Sequence, residues 1–312
     1  MSTYFKNLKT YIACAFLFCS VYTSAQTELD AIMMNKQQLC IGPMYNYASW
    51  DQYWEGTLKR KNLNLGTVTT QSVMLGGNYG INDNLNILVM APYVWTEASA
   101  GTLAGMSGVQ DISAWVKWRA IRKDYGKSKL SVFALGGISV PLTDYVVDFL
   151  PLSIGLGSTN LSARAMVDYQ YKKLSVTGSA SYMLRSNTTI DRTSYYDTEM
   201  HLTNKVDMPD AMQFQLRAGF RGKYLLAEAL LTNWTTLGGF DITRNNMPFP
   251  SNRMNSTMAG FNLKYTIPSY THLALLGGAN YTIAGRNVGQ SVSINAGIFY
   301  AFYVGKNHKS QN

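Results

Sequence analysis

The sequence is short of charge. Asp, Glu, Lys and Arg make up only 14% of its 312 residues, against roughly 25% in an ordinary soluble domain. Mean hydropathy is nevertheless close to zero, at -0.08. Apolar residues are therefore mixed finely with uncharged polar ones instead of being gathered into long runs. No stretch of about 18 uninterrupted apolar residues occurs, so no transmembrane helix is expected.

Cysteine and histidine are equally scarce, with three of each. Cys14 and Cys19 fall in a leader, which leaves Cys40 alone and predicts neither an internal disulfide nor a cysteine metal cluster. No phosphate-binding glycine loop, metal-ligand spacing or dinucleotide fingerprint is present. His201 beside Asp197 or Asp207 is the one arrangement that could serve a hydrolase at a membrane boundary, and an ordinary loop histidine explains it better. His272 and His308 fall at a turn and in the tail. Neither an enzyme nor a cofactor is expected. The pI of 9.3 does not argue for nucleic acid, because the charges are spread over strands of a secreted chain.

What is present begins with a targeting segment. Lys6 and Lys9 precede a short apolar core at 12–21, and Thr23-Ser24-Ala25 fits signal peptidase cleavage before Gln26, so residues 1–25 read as a signal peptide. Residues 26–36 are expected to be a short periplasmic segment, 37–304 a barrel and 305–312 a periplasmic tail.

The rest of the chain alternates. Apolar and polar residues exchange with period two in twelve runs near 37–48, 67–81, 84–97, 109–121, 129–143, 158–171, 173–186, 211–221, 223–235, 256–267, 271–284 and 290–304. Each is near or above the 9 to 11 residues that a tilted strand needs to cross a membrane. The connections alternate between tight turns, such as Lys172-Lys173 and Gly222-Lys223, and long Gly- and Asn-rich loops, of which 187–210 is the longest. Short periplasmic turns with long external loops mark outer-membrane barrels. The turn at 120–128 is expected to be somewhat longer than its neighbours. The fold class is thus all-β: a transmembrane, antiparallel, up-and-down β-barrel of about twelve strands in the outer membrane of a Gram-negative bacterium, with both termini periplasmic.

This register assigns Lys117, Arg119, Arg164, Arg185, Arg217, Arg221 and Lys264 to the inner face together with Asp111, Asp168 and Glu228. A positive lumen of this kind favours anions such as acidic saccharides. The same charges could instead pair across a packed interior and stiffen it. Phe133, Trp115, Met90 and Met183 also fall on the inner face and suit apolar solutes.

The last run, Ser291 to Phe302, places Val292, Ile294, Ala296, Ile298, Tyr300 and Phe302 on one face. The spacing of Asn295, Gly297, Tyr300 and Phe302 resembles the C-terminal strand that the barrel-assembly machinery reads. Expected partners are therefore that machinery, outer-membrane lipid, lipopolysaccharide and a small-molecule solute. The Trp54, Lys59-Arg60-Lys61 loop has a composition suited to acidic lipopolysaccharide headgroups.

Several short motifs point to a family. Gly108 with Asp111-Ile112 opens a strand that continues through Lys117-Trp118. A later strand ends Ser139-Val140-Pro141-Leu142-Thr143, and Gly155-Leu156-Gly157 enters the next. From about Gly76 to Gly305 the chain resembles the outer-membrane family named after the meta-pathway of phenol degradation. Gln110 and Asp144 depart from its glycines. The resemblance implies a β-barrel that passes small hydrophobic or aromatic compounds, and it supplies no ligand residues. Three readings stand: passive uptake of such compounds, a small-anion channel, and a structural or surface-interaction barrel without transport.

Overall fold

The computed structural model describes residues 27–243 and 247–305, so the expected signal peptide and the tail beyond Gly305 lie outside the described residues. The chain is organised by long strands: β1 (Gln38–Trp50), β2 (Val68–Asn82), β3 (Leu85–Ala98), β4 (Asp111–Tyr125), β5 (Ser128–Pro141), β6 (Asn160–Tyr171), β7 (Leu174–Arg185), β8 (Ala211–Arg221), β9 (Leu225–Thr236), β10 (Asn255–Thr266), β11 (Leu273–Arg286) and β12 (Val292–Tyr303). Each pairs antiparallel with its sequence neighbours, and β1 pairs with β12 from Gln38 opposite Tyr303 to Ser49 opposite Val292. The sheet closes on itself as a barrel of twelve strands. Closure satisfies every edge, which lipid requires because it offers the backbone no hydrogen bonds.

The two faces are inverted relative to a soluble protein. On β6, Ser162, Arg164, Met166 and Asp168 are buried, whereas Leu161, Val167, Tyr169 and Tyr171 are exposed. On β8, Gln215 and Arg217 are buried while Phe214, Leu216 and Phe220 are exposed. Water would reverse this arrangement, and a hydrocarbon surround demands it. Aromatic side chains mark the two borders of the apolar belt. Tyr45, Tyr93 and Trp95 group near the loop end, with centroids 6.3 and 6.2 Å apart, and Trp118, Tyr169, Tyr171 and Tyr265 are exposed toward the turn end. The protein is an outer-membrane-type barrel.

Two details differ from the sequence reading. The turn expected at 120–128 is tight, because β4 continues to Tyr125 through a bulge between Arg119 and Ile121. Gly126 then supplies the left-handed residue that the turn requires, at φ 61°. The second difference is larger. Of the segment expected to lie in the periplasm at 26–36, the described residues 27–35 enter the barrel instead. The segment leaves the interior along β2, where Gly80 admits it: a Cβ there would sit 2.1 Å from the Asn35 carbonyl oxygen. Met34 is fully buried against Cys40, Phe299 and Ala301. Leu29, Ala31, Ile32, Met33 and Met34 make this segment too apolar to remain in water.

Outside the membrane, the loops at 142–159, 186–210 and 237–254 share a small core of Val147, Ile190, Tyr195 and Val206, on which Tyr145 and Phe249 pack. The 51–67 loop carries a hairpin, Gln52–Glu55 with Leu58–Lys61, whose Trp54 amide donates to the Val288 carbonyl at 2.9 Å.

Candidate functional site

The barrel interior is the site, and the inserted segment divides it. Thr27 and Asp30 shape that segment: the Asp30 carboxylate accepts from the Thr27 amide at 2.6 Å and from the Ile32 amide at 3.0 Å. The resulting turn aims its carbonyls at cations of the barrel wall. Lys117 on β4 is fully buried. Its Nζ donates to the carbonyls of Thr27 at 2.7 Å and Ile32 at 3.2 Å, and pairs with Asp30 Oδ1 at 3.2 Å. Arg164 on β6 donates to the Glu28 carbonyl and to Gln213 Oε1, both at 2.8 Å, with its guanidinium 5.3 Å from the Trp115 ring centroid. Arg217 on β8 donates to the Leu29 carbonyl at 3.0 Å.

Below the segment the wall charges bind one another. Arg217 Nε pairs with Glu228 Oε2 at 2.9 Å, and Arg221 bridges Glu228 Oε1 at 3.0 Å and Asp168 Oδ1 at 2.9 Å. Thr177 donates to Asp168 at 2.5 Å and accepts from Arg221 at 2.9 Å. Buried charges are tolerated when paired and hydrogen-bonded in this way.

The structure thus brings together Lys117, Arg164, Asp168, Arg217, Arg221 and Glu228. Lys264 is buried beside them and lines cavities on both sides of the segment. The other three charged residues lie apart. Arg119 clamps the tight turn between β2 and β3, donating to the Asp83 carbonyl at 2.7 Å and to Asn84 Oδ1 at 2.9 Å. Asp111 accepts from the Tyr145 hydroxyl at 2.6 Å near the external end. Arg185 stacks on Trp234, 5.3 Å from its centroid. On β12, Asn295 and Gly297 point inward while Tyr300 and Phe302 leave their rings 5.8 Å apart. His201 pairs with Asp197 at 3.0 Å and stacks on Tyr195 at 4.5 Å between centroids.

Sequence reasoning missed Asp30 and the carbonyls of 27–32. The available signal was the Thr27-x-x-Asp30 turn followed at once by an apolar run, which is unusual for a free leader. Beside the ion pairs, Leu88, Trp115, Phe133, Leu135 and Met166 form an apolar wall against which Ala31, Met33 and Met90 pack. Two cavities flank the segment inside the barrel. One of about 510 Å³ opens at the turn end past Arg119, Arg122, Lys129 and Arg221. The other, of about 280 Å³, lies between the segment and strands β8 to β12 and β1.

A family model described as "Putative MetA-pathway of phenol degradation" matches residues 61–298. No curated protein matches the chain by sequence. Among solved structures, an outer membrane channel from Pseudomonas putida F1 aligns over 89% of this chain and 100% of its own, with a TM-score of 0.68 at 13% identity. At that identity the likeness shows the fold. The translocator domain of the autotransporter NalP from Neisseria meningitidis aligns over 88% of this chain and 91% of its own, with a TM-score of 0.46 and 13% identity.

Proposed function

Since the chain belongs to this MetA-pathway family of phenol degradation, we propose that it is an outer-membrane channel for passive uptake of small hydrophobic or aromatic molecules. The observation that carries this reading is the cavity of about 280 Å³ inside the barrel, whose lining includes Met44, Leu230, Met258 and Leu276. A barrel that only conducted hydrated ions would gain nothing from such a lining, and an apolar solute gains roughly 25 cal/mol for each Å² it buries there. The charges beside the cavity favour this reading too, because Lys117, Arg217 and Arg221 are engaged with Asp30, Asp168 and Glu228.

The test is entry of N-phenylnaphthylamine into cells whose outer membrane carries the barrel, read by its fluorescence. Entry faster than in cells lacking the protein is expected, and equal rates would count against uptake.

The anion reading keeps one supporting observation, the basic lining of the mouth cavity by Arg119, Arg122 and Lys129. For that reading, the reversal potential of the protein in a planar bilayer under a salt gradient must show anion preference, weakened in Arg122→Ala. Contacts of the barrel with lipopolysaccharide through Lys59 and Lys61, both exposed, and recognition of β12 by the assembly machinery belong to the same proposal.

A further inference from the structure

The inner wall formed by β10, β11, β12 and β1 is unlike the rest of the lumen. It carries carboxamides and thioethers where the opposite side carries ion pairs and aromatic rings. The cavity of about 280 Å³ is lined there by Asn262, Asn280 and Asn295, by Gln215 from β8, and by Met44 and Met258. It is roughly twice the 150 Å³ that suffices to hold benzene in an apolar protein cavity.

Three observations indicate a built site rather than a merely wet wall. First, among the described residues the carboxamides of Asn262, Asn280 and Asn295 have no hydrogen-bond partner. Gln215 is buried and donates to Thr232 at 3.1 Å. The three asparagine amides are half-buried and open to the cavity, so a solute that pairs with them exchanges their water for its own hydroxyl groups. Second, glycines create the room in which these amides sit. A Cβ at Gly278 would lie 2.3 Å from Asn262 Oδ1 and 3.2 Å from Asn295 Nδ2, and one at Gly260 would lie 2.3 Å from Asn280 Oδ1. The amides are therefore set against the wall at fixed positions on paired strands, with Asn262 opposite Gly278 and Gly278 opposite Asn295. Third, Arg217, Glu228 and Asp30, the charged groups at the inner edge of the cavity, are already engaged, Arg217 with Glu228 at 2.9 Å and Asp30 with Lys117 at 3.2 Å. Lys264 stands at the boundary with the mouth cavity.

Carboxamides both donate and accept without carrying charge. Methionine sulfur and methyl groups adapt to apolar shapes and to ring edges. We infer that this wall is a binding site for a small neutral solute that carries hydroxyl groups on an apolar or aromatic frame. The inference rests on the uptake reading and narrows it: a plain hydrocarbon would leave the amides unpaired, and an anion would find no free cation within the pocket.

The test is equilibrium dialysis of the detergent-refolded full chain against phenol, toluene and benzoate. Phenol is expected to be retained more strongly than either of the others. Asn262→Leu and Asn280→Leu are expected to weaken phenol retention by about threefold to tenfold each, the range of one hydrogen bond, while leaving toluene unchanged or tighter. Gly278→Ala, whose Cβ would displace the Asn262 amide and press on the Phe261 carbonyl oxygen 2.7 Å away, is expected to act in the same direction. Variants are compared only if they keep the wild-type β-sheet circular dichroism. Equal retention of phenol and toluene, or phenol retention that none of the variants alters, overturns the site. Phenol retention with the stated losses, combined with no gain in N-phenylnaphthylamine entry, upholds the site and removes the uptake reading.

Discussion

Lys117 shows how much one side chain decides here. It is wholly buried and its ammonium is held by Asp30 and by two carbonyls of the same inserted segment. Removing one partner of a buried pair costs about 3–5 kcal/mol, because the other charge is left uncompensated. Asp30→Ala therefore loosens the segment. Cys40 reports this directly, since it is buried against Met34 of that segment. Alkylation of Cys40 by a maleimide is expected to accelerate by about tenfold or more in Asp30→Ala. An unchanged rate would mean that apolar packing alone seats the segment. Outside the membrane, the Asp241 carboxyl is held down at about 2 by hydrogen bonds from Arg286, against the burial that would raise it, with Asn287 adding to the effect. The stabilisation from this clamp is present above the ordinary carboxyl range and is lost as pH falls through about 2. The pair is partly exposed, so its contribution is small. In Arg286→Ala the Asp241 resonance followed by NMR should titrate closer to its ordinary value of 3.8.

At the scale of elements, β12 combines two roles on two faces. Asn295 and Gly297 belong to the lumen, whereas Tyr300 and Phe302 present aromatic rings at the turn end of the strand where the barrel closes on β1. Phe302→Ala removes only the outward part. The expected outcome is a several-fold lower yield of inserted barrel in cells, with refolding in detergent unaffected. A proportional loss in both would make Phe302 a packing residue rather than an assembly signal. Strand positions were legible in the sequence because a membrane barrel must alternate along every stave. Thus Met212, Phe214, Leu216, Ala218 and Phe220 separate cleanly from Gln213, Gln215, Arg217 and Gly219. The end of β4 was not legible. The bulge after Arg119 shifts the alternation by one residue, so Ile121 to Tyr125 breaks the pattern and reads as turn. The shared loop core was equally hidden, because Val147 lies far in sequence from Ile190, Tyr195 and Val206.

For the molecule as a whole, the inserted segment sets the size of the path. It separates the mouth cavity from the cavity above it and occupies the space between the ion pairs and the apolar wall. Deleting residues 27–35 is expected to raise single-channel conductance several-fold, because the hydrated cross-section grows, and to leave Arg217 paired with Glu228. A conductance equal to that of the full chain would place the constriction in the external loops instead. The sequence by itself determined the all-β class, the barrel of twelve strands and the direction of its faces. All of these follow from a period-two pattern and from a lipid surround that admits only one orientation. The tertiary structure alone decided which charges meet and what fills the lumen. Asp30 reaches Lys117 and Arg164 finds the Glu28 carbonyl because closing the sheet brings distant strands around one axis. Local periodicity carries no record of contacts made across that axis.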